Sequence, residues 1–72
     1  MKYTIVIEKG EHSWGAYVPD LPGCVAAAES REEVVTLIRE AIELHLDGLL
    51  EDGKGLPSPQ SEAVTVEIQI RN

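Results

Sequence analysis

The chain is poor in several residue types, and each shortage narrows what it can be. It has a single cysteine in 72 residues, so it cannot carry an internal disulfide framework, and a reducing setting is favoured. No apolar run approaches the roughly 20 residues of a membrane-spanning helix, and the N-terminus lacks the apolar core of a signal peptide. We therefore expect a soluble, cytoplasmic protein that does not contact a membrane.

Basic residues are also scarce, at 6 lysines and arginines against 13 aspartates and glutamates. The net charge of −7 would repel a phosphate backbone, which disfavours direct binding of nucleic acid. An acidic surface suits a basic protein partner instead, because opposite potentials steer the two surfaces together. The same charge could simply keep the protein soluble, and composition alone leaves both explanations open.

The length predicts one small domain, residues 1–72. A domain of this size buries only about 60% of the surface that its unfolded chain exposes. Self-association is a common source of additional stability for such small folds. We therefore expect a homodimer or a larger homo-oligomer.

Alternation of apolar and polar residues predicts strands at both ends of the chain. Residues 2–8, 14–18 and 24–29 fit three strands, the third less clearly because it is rich in alanine. Residues 64–70 alternate valine or isoleucine with polar residues and fit a fourth strand.

One helix is predicted between the third and fourth strands. Ser30 and Glu33 form a capping-box pattern, in which each side chain satisfies a backbone N–H of the other. From Val34 onward, apolar residues recur every three or four positions until Gly53, a typical residue just after a helix end. The order is therefore β-β-β-α-β, and the simplest arrangement is an α+β fold in which one helix covers one face of a four-stranded sheet.

The most distinctive segment joins the second and third strands: Val18-Pro19-Asp20-Leu21-Pro22-Gly23-Cys24. Proline fixes φ and has no N–H, so neither proline can lie inside a sheet. Leu21 and Cys24 offer apolar side chains for burial. We predict a stiff, partly buried connector between two strands.

With these segments in this order, the sequence resembles the HicB-like antitoxin family over nearly its whole length. The resemblance rests on the opening strand with Tyr3 and Ile5, on Tyr17 before the proline-containing connector, on the Ser30–Glu33 cap, and on Leu56-Pro57-Ser58-Pro59 after the helix. It implies a partial ribonuclease-H-like fold with a mixed sheet, in which the last of four strands returns beside the first.

The resemblance also implies a function. Family members form the neutralising half of a toxin–antitoxin pair, so the expected partner is a small basic, RNA-cleaving, HicA-like toxin whose RNA-handling surface the antitoxin occludes. Many members continue into a C-terminal segment that binds operator DNA. This sequence ends at Asn72, after the predicted last strand, and we expect no such segment in it.

Five residues are candidates for contact with a partner. Aromatic side chains are enriched in binding hot spots, although a lone tryptophan in a small domain is more often part of the core. The connector contains one carboxylate with no evident structural role, and the polar face of the helix carries an acidic stripe. The candidates are Trp14, Asp20, Glu40, Glu43 and Asp47.

Two other functions stay open, an orphan binding module without a toxin and a metal-dependent nuclease related to ribonuclease H. Two-metal chemistry needs several carboxylates at one point. The helical carboxylates face away from the sheet, and although Glu8 could converge with Asp20, nothing in the sequence requires it. His12 and His45 lack ligand spacing, and Cys24 has no evident base nearby. We therefore predict no enzymatic activity and no catalytic, metal-binding or cofactor-binding residues.

Overall fold

A computed structural model of the chain describes residues 1–71. Three strands precede one helix: β1 spans Val6–Lys9, β2 Trp14–Tyr17, β3 Val25–Ala28 and α1 Arg31–Glu51. The strands form an antiparallel sheet in the order β1-β2-β3. The α+β class and the first four predicted elements are confirmed.

A tight hairpin joins β1 to β2. The Gly10 N–H donates to the Ser13 carbonyl at 2.8 Å, and Lys9 pairs with Trp14 at the end of the ladder. The Lys9 ammonium lies 5.7 Å from the centre of the Trp14 ring, a distance typical of a cation–π contact. The paired backbone and this contact hold the hairpin end of the sheet.

The connector folds as two consecutive turns. The Leu21 N–H donates to the Val18 carbonyl and the Cys24 N–H donates to the Leu21 carbonyl, each at 3.0 Å. Pro22 and Gly23 occupy the central positions of the second turn, where Gly23 has a φ of +85°, as a type II turn requires. Leu21 and Cys24 are buried, which confirms the prediction of a stiff, partly buried passage.

Helix α1 begins and ends where the sequence predicts, but only the Ser30 half of the predicted capping box forms, because the Glu33 carboxylate accepts from the Ser30 hydroxyl instead of the Ser30 backbone N–H. The Ser30 hydroxyl accepts from the Glu33 N–H at 3.1 Å and donates to the Glu33 carboxylate at 3.3 Å. At the other end the Asp52 N–H donates to the Gly48 carbonyl, and Gly53 takes a φ of +74°. These caps satisfy backbone groups that an isolated helix would leave without partners.

The core lies between one face of the sheet and α1, which packs mainly on β3 and β2. Apolar residues from the strands, the connector and the first half of the helix meet there. The buried set is Ala16, Val18, Leu21, Cys24, Val34 and Ile38.

The predicted fourth strand is not confirmed, nor is the mixed four-stranded sheet that depends on it. Residues 64–70 have no strand assignment, and their apolar side chains are between 66% and 85% exposed. Alternation specifies that one face of a segment can be buried, but it does not specify which sheet edge receives it. The sheet of the described chain therefore has three strands.

Candidate partner-binding surface

The outward face of α1 carries one continuous stripe of exposed side chains, which we call the α1 stripe. Its members follow one another at alternating intervals of four and three residues, the spacing that places side chains in a single row on a helix. Each of the two leucines in this row lies between two carboxylates. The α1 stripe consists of Glu33, Leu37, Glu40, Leu44, Asp47 and Glu51.

The two leucines distinguish the α1 stripe from a purely solvated helix face. Leu44 is 73% exposed and Leu37 is 40% exposed, so both present apolar surface between carboxylates. A surface of this kind suits a basic partner that also has apolar area to bury, because charge gives orientation and apolar contact gives affinity. Leu44 is not among the five residues predicted from the sequence, although its place seven residues after Leu37, on the same helix face, is a signal for it.

The three helical candidates are all exposed. Glu40 and Asp47 lie within the α1 stripe, whereas Glu43 lies to one side of it, where it lines a groove between α1 and the N-terminal segment. Their role in partner contact stays a prediction.

Asp20 has a structural role that the sequence did not reveal. Its Oδ2 accepts hydrogen bonds from the backbone N–H groups of Gln60 and Ser61, both at 2.9 Å, and its Oδ1 accepts from the Ser61 hydroxyl at 2.8 Å. The bonds from the Ser61 N–H, the Gln60 N–H and the Ser61 hydroxyl favour the ionised carboxylate and hold the pKa of Asp20 below its ordinary value. The connector is thus tied to the segment after the helix.

Trp14 lies on β2, on the face that packs against the helix. It is half-buried and contacts the core, while Tyr17, three residues later, is exposed on the other side of the sheet. The structure therefore gives Trp14 a packing role. Trp14 faces the core, whereas the α1 stripe lies on the outward face of the helix. Its use as a partner anchor stays a prediction.

The remaining reactive side chains lie apart. Cys24 is buried, and burial raises the pKa of its thiol. His12 is exposed beside Glu11, and His45 is half-buried on α1. Among residues 1–71, no group of three histidine, cysteine, aspartate or glutamate side chains is placed to hold a metal ion.

Within the part of the chain that the structure describes, no helix is both long enough and apolar enough to cross a membrane.

Comparison with known proteins identifies the class to which this fold and surface belong. A family model described as the HicB-like antitoxin of bacterial toxin–antitoxin systems matches residues 3–69. The chain belongs to this family.

Three individual relatives are similar in sequence, and one of them is named as a HicB antitoxin. The chain is 41% identical over 64 residues to a UPF0150 protein of Helicobacter pylori, covering 89% of each. It is 42% identical over 57 residues to an uncharacterized 14.9 kDa protein of Haemophilus phage HP1, covering 79% of this chain and 43% of that protein. It is 27% identical over 62 residues to Antitoxin HicB 2 of Photorhabdus laumondii, covering 86% of this chain and 45% of the antitoxin. The chain thus spans less than half the length of two of these relatives.

One solved structure is similar in both fold and sequence. A chain of the HicA3 and HicB3 toxin–antitoxin complex superposes with a TM-score of 0.69 at 32% identity, over 83% of this chain and 70% of that one. The arrangement of three strands and a helix is therefore that of a HicB-like protein.

Proposed function

We propose that this chain is an antitoxin that binds a small basic, RNA-cleaving, HicA-like toxin in the cytoplasm and neutralises it by occlusion. Membership of the antitoxin family and likeness to a chain of a toxin–antitoxin complex support this function. The mode of action is protein–protein contact, with no catalytic step by the antitoxin itself.

The observation that carries the proposal is the α1 stripe. It combines four carboxylates with two exposed leucines in one row on a helix whose other face is fixed against the sheet. The RNA-binding surface of a basic toxin has the complementary charge. The electrostatic attraction that draws RNA to the toxin would therefore also draw the antitoxin to it. Glu40, Leu44 and Asp47 form the centre of the row, and we place them at the centre of the interface.

Co-expression tests the function. The reading frames beside the gene for this chain are searched for a short basic HicA-like protein, which is expressed alone and together with the chain while growth and copurification are measured. We expect the chain to copurify with the toxin and to restore growth. Failure of both, or the lack of a neighbouring toxin gene, would leave an orphan binding module as the better description.

A charge-reversal pair tests the surface. Glu40→Lys with Asp47→Lys should weaken toxin binding at least tenfold and abolish rescue, because it reverses the charge at the centre of the α1 stripe. The matched control is Glu11→Lys with Glu29→Lys, which makes the same change in net charge at exposed sites outside the α1 stripe. Equal loss in both pairs would show a nonspecific charge effect rather than a binding surface.

A further inference from the structure

Residues 62–71, which we call the C-terminal arm, are exposed throughout and belong to no strand or helix. The radius of gyration is 14.8 Å and the longest dimension is 55 Å, whereas a compact chain of this length has a radius of gyration of about 11 Å. One face of the arm consists of Val64, Val66, Ile68 and Ile70. Such an apolar row, left in water, is surface that a partner can bury.

An open groove lies beside the N-terminal segment that leads into β1. A groove of about 520 Å³ runs between the N-terminal segment and the second half of α1, and Tyr3, Ile5, Ile42 and Leu46 line it with apolar side chains. β1 is an edge strand of the sheet, so its outer backbone groups have no ladder partner within residues 1–71. A strand laid along this edge would complete the sheet and cover the groove.

Charge is also complementary between the groove and the arm. Lys2 and Arg39 lie at the groove together with Glu43. The charged residues of the arm are Glu62, Glu67 and Arg71. Glu62 shares the face of Val64 and Val66, so in an extended arm it faces the groove, where Lys2 and Arg39 have the opposite charge, whereas Glu67 and Arg71 lie on the other face.

The root of the arm is fixed at the same edge of its own chain. The Thr4 hydroxyl donates to the Ser61 carbonyl at 2.8 Å, and the Tyr3 hydroxyl donates to the Pro57 carbonyl. Asp20 holds the Ser61 backbone from the other side. From this fixed point the arm extends away from the body, which leaves its own groove open.

We propose that two copies of this chain exchange C-terminal arms, each arm pairing along β1 of the other copy and filling its groove. Every copy has one projecting arm and one open groove, so a two-fold pair satisfies both without any third molecule. The exchange supplies the fourth strand that the sequence pattern predicts, but from a second chain. It does not depend on toxin binding, since the α1 stripe lies on the outward face of the helix.

Light scattering after size-exclusion chromatography tests the exchange on the full chain. We expect twice the 7.9 kDa mass of one chain. Val66→Glu with Ile68→Glu should reduce the mass to that of a single chain, because it places charge on the apolar face. The control, Thr65→Glu with Gln69→Glu, lowers the net charge equally on the opposite face and should remain a dimer. A monomeric wild-type chain, or a dimer unaffected by the Val66 and Ile68 changes, overturns the proposal.

Cross-linking separates exchange from pairing within one chain. In a Cys24→Ala background, Ile68→Cys on the arm and Arg39→Cys at the groove are joined with a short bis-maleimide. Exchange predicts a product of doubled mass on a denaturing gel. A cross-linked product of single mass shows that the arm folds back on its own chain. The absence of a cross-link shows that the arm lies elsewhere, for example on a toxin. Either result overturns the exchange.

Discussion

Asp20 shows how much one side chain does in a chain this small. Both of its oxygens accept hydrogen bonds from residues about 40 positions away in sequence, which joins the connector to the segment that follows α1. Because Thr4 binds the same segment, the root of the C-terminal arm is held on two sides. The carboxylate that had no evident structural role therefore fixes where the arm begins.

The tie made by Asp20 should depend on pH. Its hydrogen bonds lower the pKa of the folded carboxyl below the ordinary 3.8, so the tie is complete above pH 3.8 and is lost as the pH falls through the lowered pKa. Carbon-detected NMR should show Asp20 titrating below 3.8, with the Gln60 and Ser61 amide shifts following the same midpoint. Asp20→Asn should abolish that titration of the two amides. An Asp20 midpoint at or above 3.8 would contradict the hydrogen-bonded geometry.

Gly23 is the second residue on which the connector depends. Its φ of +85° is strained for any residue with a Cβ, although no atom lies close enough to clash with one. Gly23→Ala should therefore lower the free energy of unfolding by about 1 kcal/mol, measured by urea denaturation. Gly55→Ala, at an open site without a positive φ, is the control and should cost nothing. Equal effects at the two sites would refute the role of φ.

At the scale of elements, α1 is the part of the fold that local sequence determines most completely. Its cap, its amphipathic pattern and the glycine after its end all lie within the segment, so their meaning does not depend on distant residues. Its buried positions, Val34 and Ile38, fall where the periodicity places them. The helix is thus both the best-predicted element and the one that carries the α1 stripe.

Gly48 is the weak point of this helix. Glycine in a helix interior costs about 0.5–1 kcal/mol relative to alanine, and a Cβ built on Gly48 meets no atom within 4 Å. Gly48→Ala should therefore raise the free energy of unfolding by about that amount in urea denaturation. Gly53→Ala, at a φ of +74°, should lower it. A loss of stability in Gly48→Ala would contradict the open surroundings of that position.

The first strand is shorter than the sequence pattern predicts. β1 starts at Val6 rather than at residue 2, although the alternation is present from the start. The register pairs Val6 with Tyr17, so earlier residues would face Val18 and the connector. The Val18 N–H already donates to the Cys24 carbonyl, and proline follows it without an N–H. The connector therefore removes the partner that the first strand would need.

The strand predicted for residues 64–70 is not confirmed for a different reason. Their alternation is the clearest in the chain, yet a strand needs an edge to pair with, and the choice between an edge of the same chain and one of another chain is not encoded in local pattern. The candidate site also has a part that local sequence predicts and a part that it does not. Glu40 and Asp47 are visible from helical spacing, whereas the role of Asp20 depends on partners about 40 residues away.

At the scale of the whole molecule, charge and exposed apolar surface are separated into two regions. The α1 stripe is acidic with two leucines, and the C-terminal arm is an apolar row with polar residues on its other face. We propose that the chain binds a basic toxin through the first region and a second copy of itself through the second. The net charge of −7 favours the first contact at long range.

Leu44 should contribute to toxin affinity without supporting the fold. Its side chain is 73% exposed, so Leu44→Ser should leave the free energy of unfolding nearly unchanged but weaken toxin binding by about 1–2 kcal/mol, roughly a tenfold change in Kd. Calorimetric titration measures the affinity. Leu50→Ser, at an exposed leucine outside the α1 stripe, is the control and should bind like the wild type. Equal affinities for the two variants would remove Leu44 from the interface.

The most direct test of the account is RNA cleavage by a HicA-like toxin, taken from a reading frame next to the gene for this chain, titrated with the purified chain. Occlusion predicts that cleavage falls in proportion to added chain and stops once every toxin molecule is bound. The Glu40→Lys and Asp47→Lys pair should need a large excess to reach the same point. Cleavage that continues unchanged in saturating wild-type chain would contradict the antitoxin function itself.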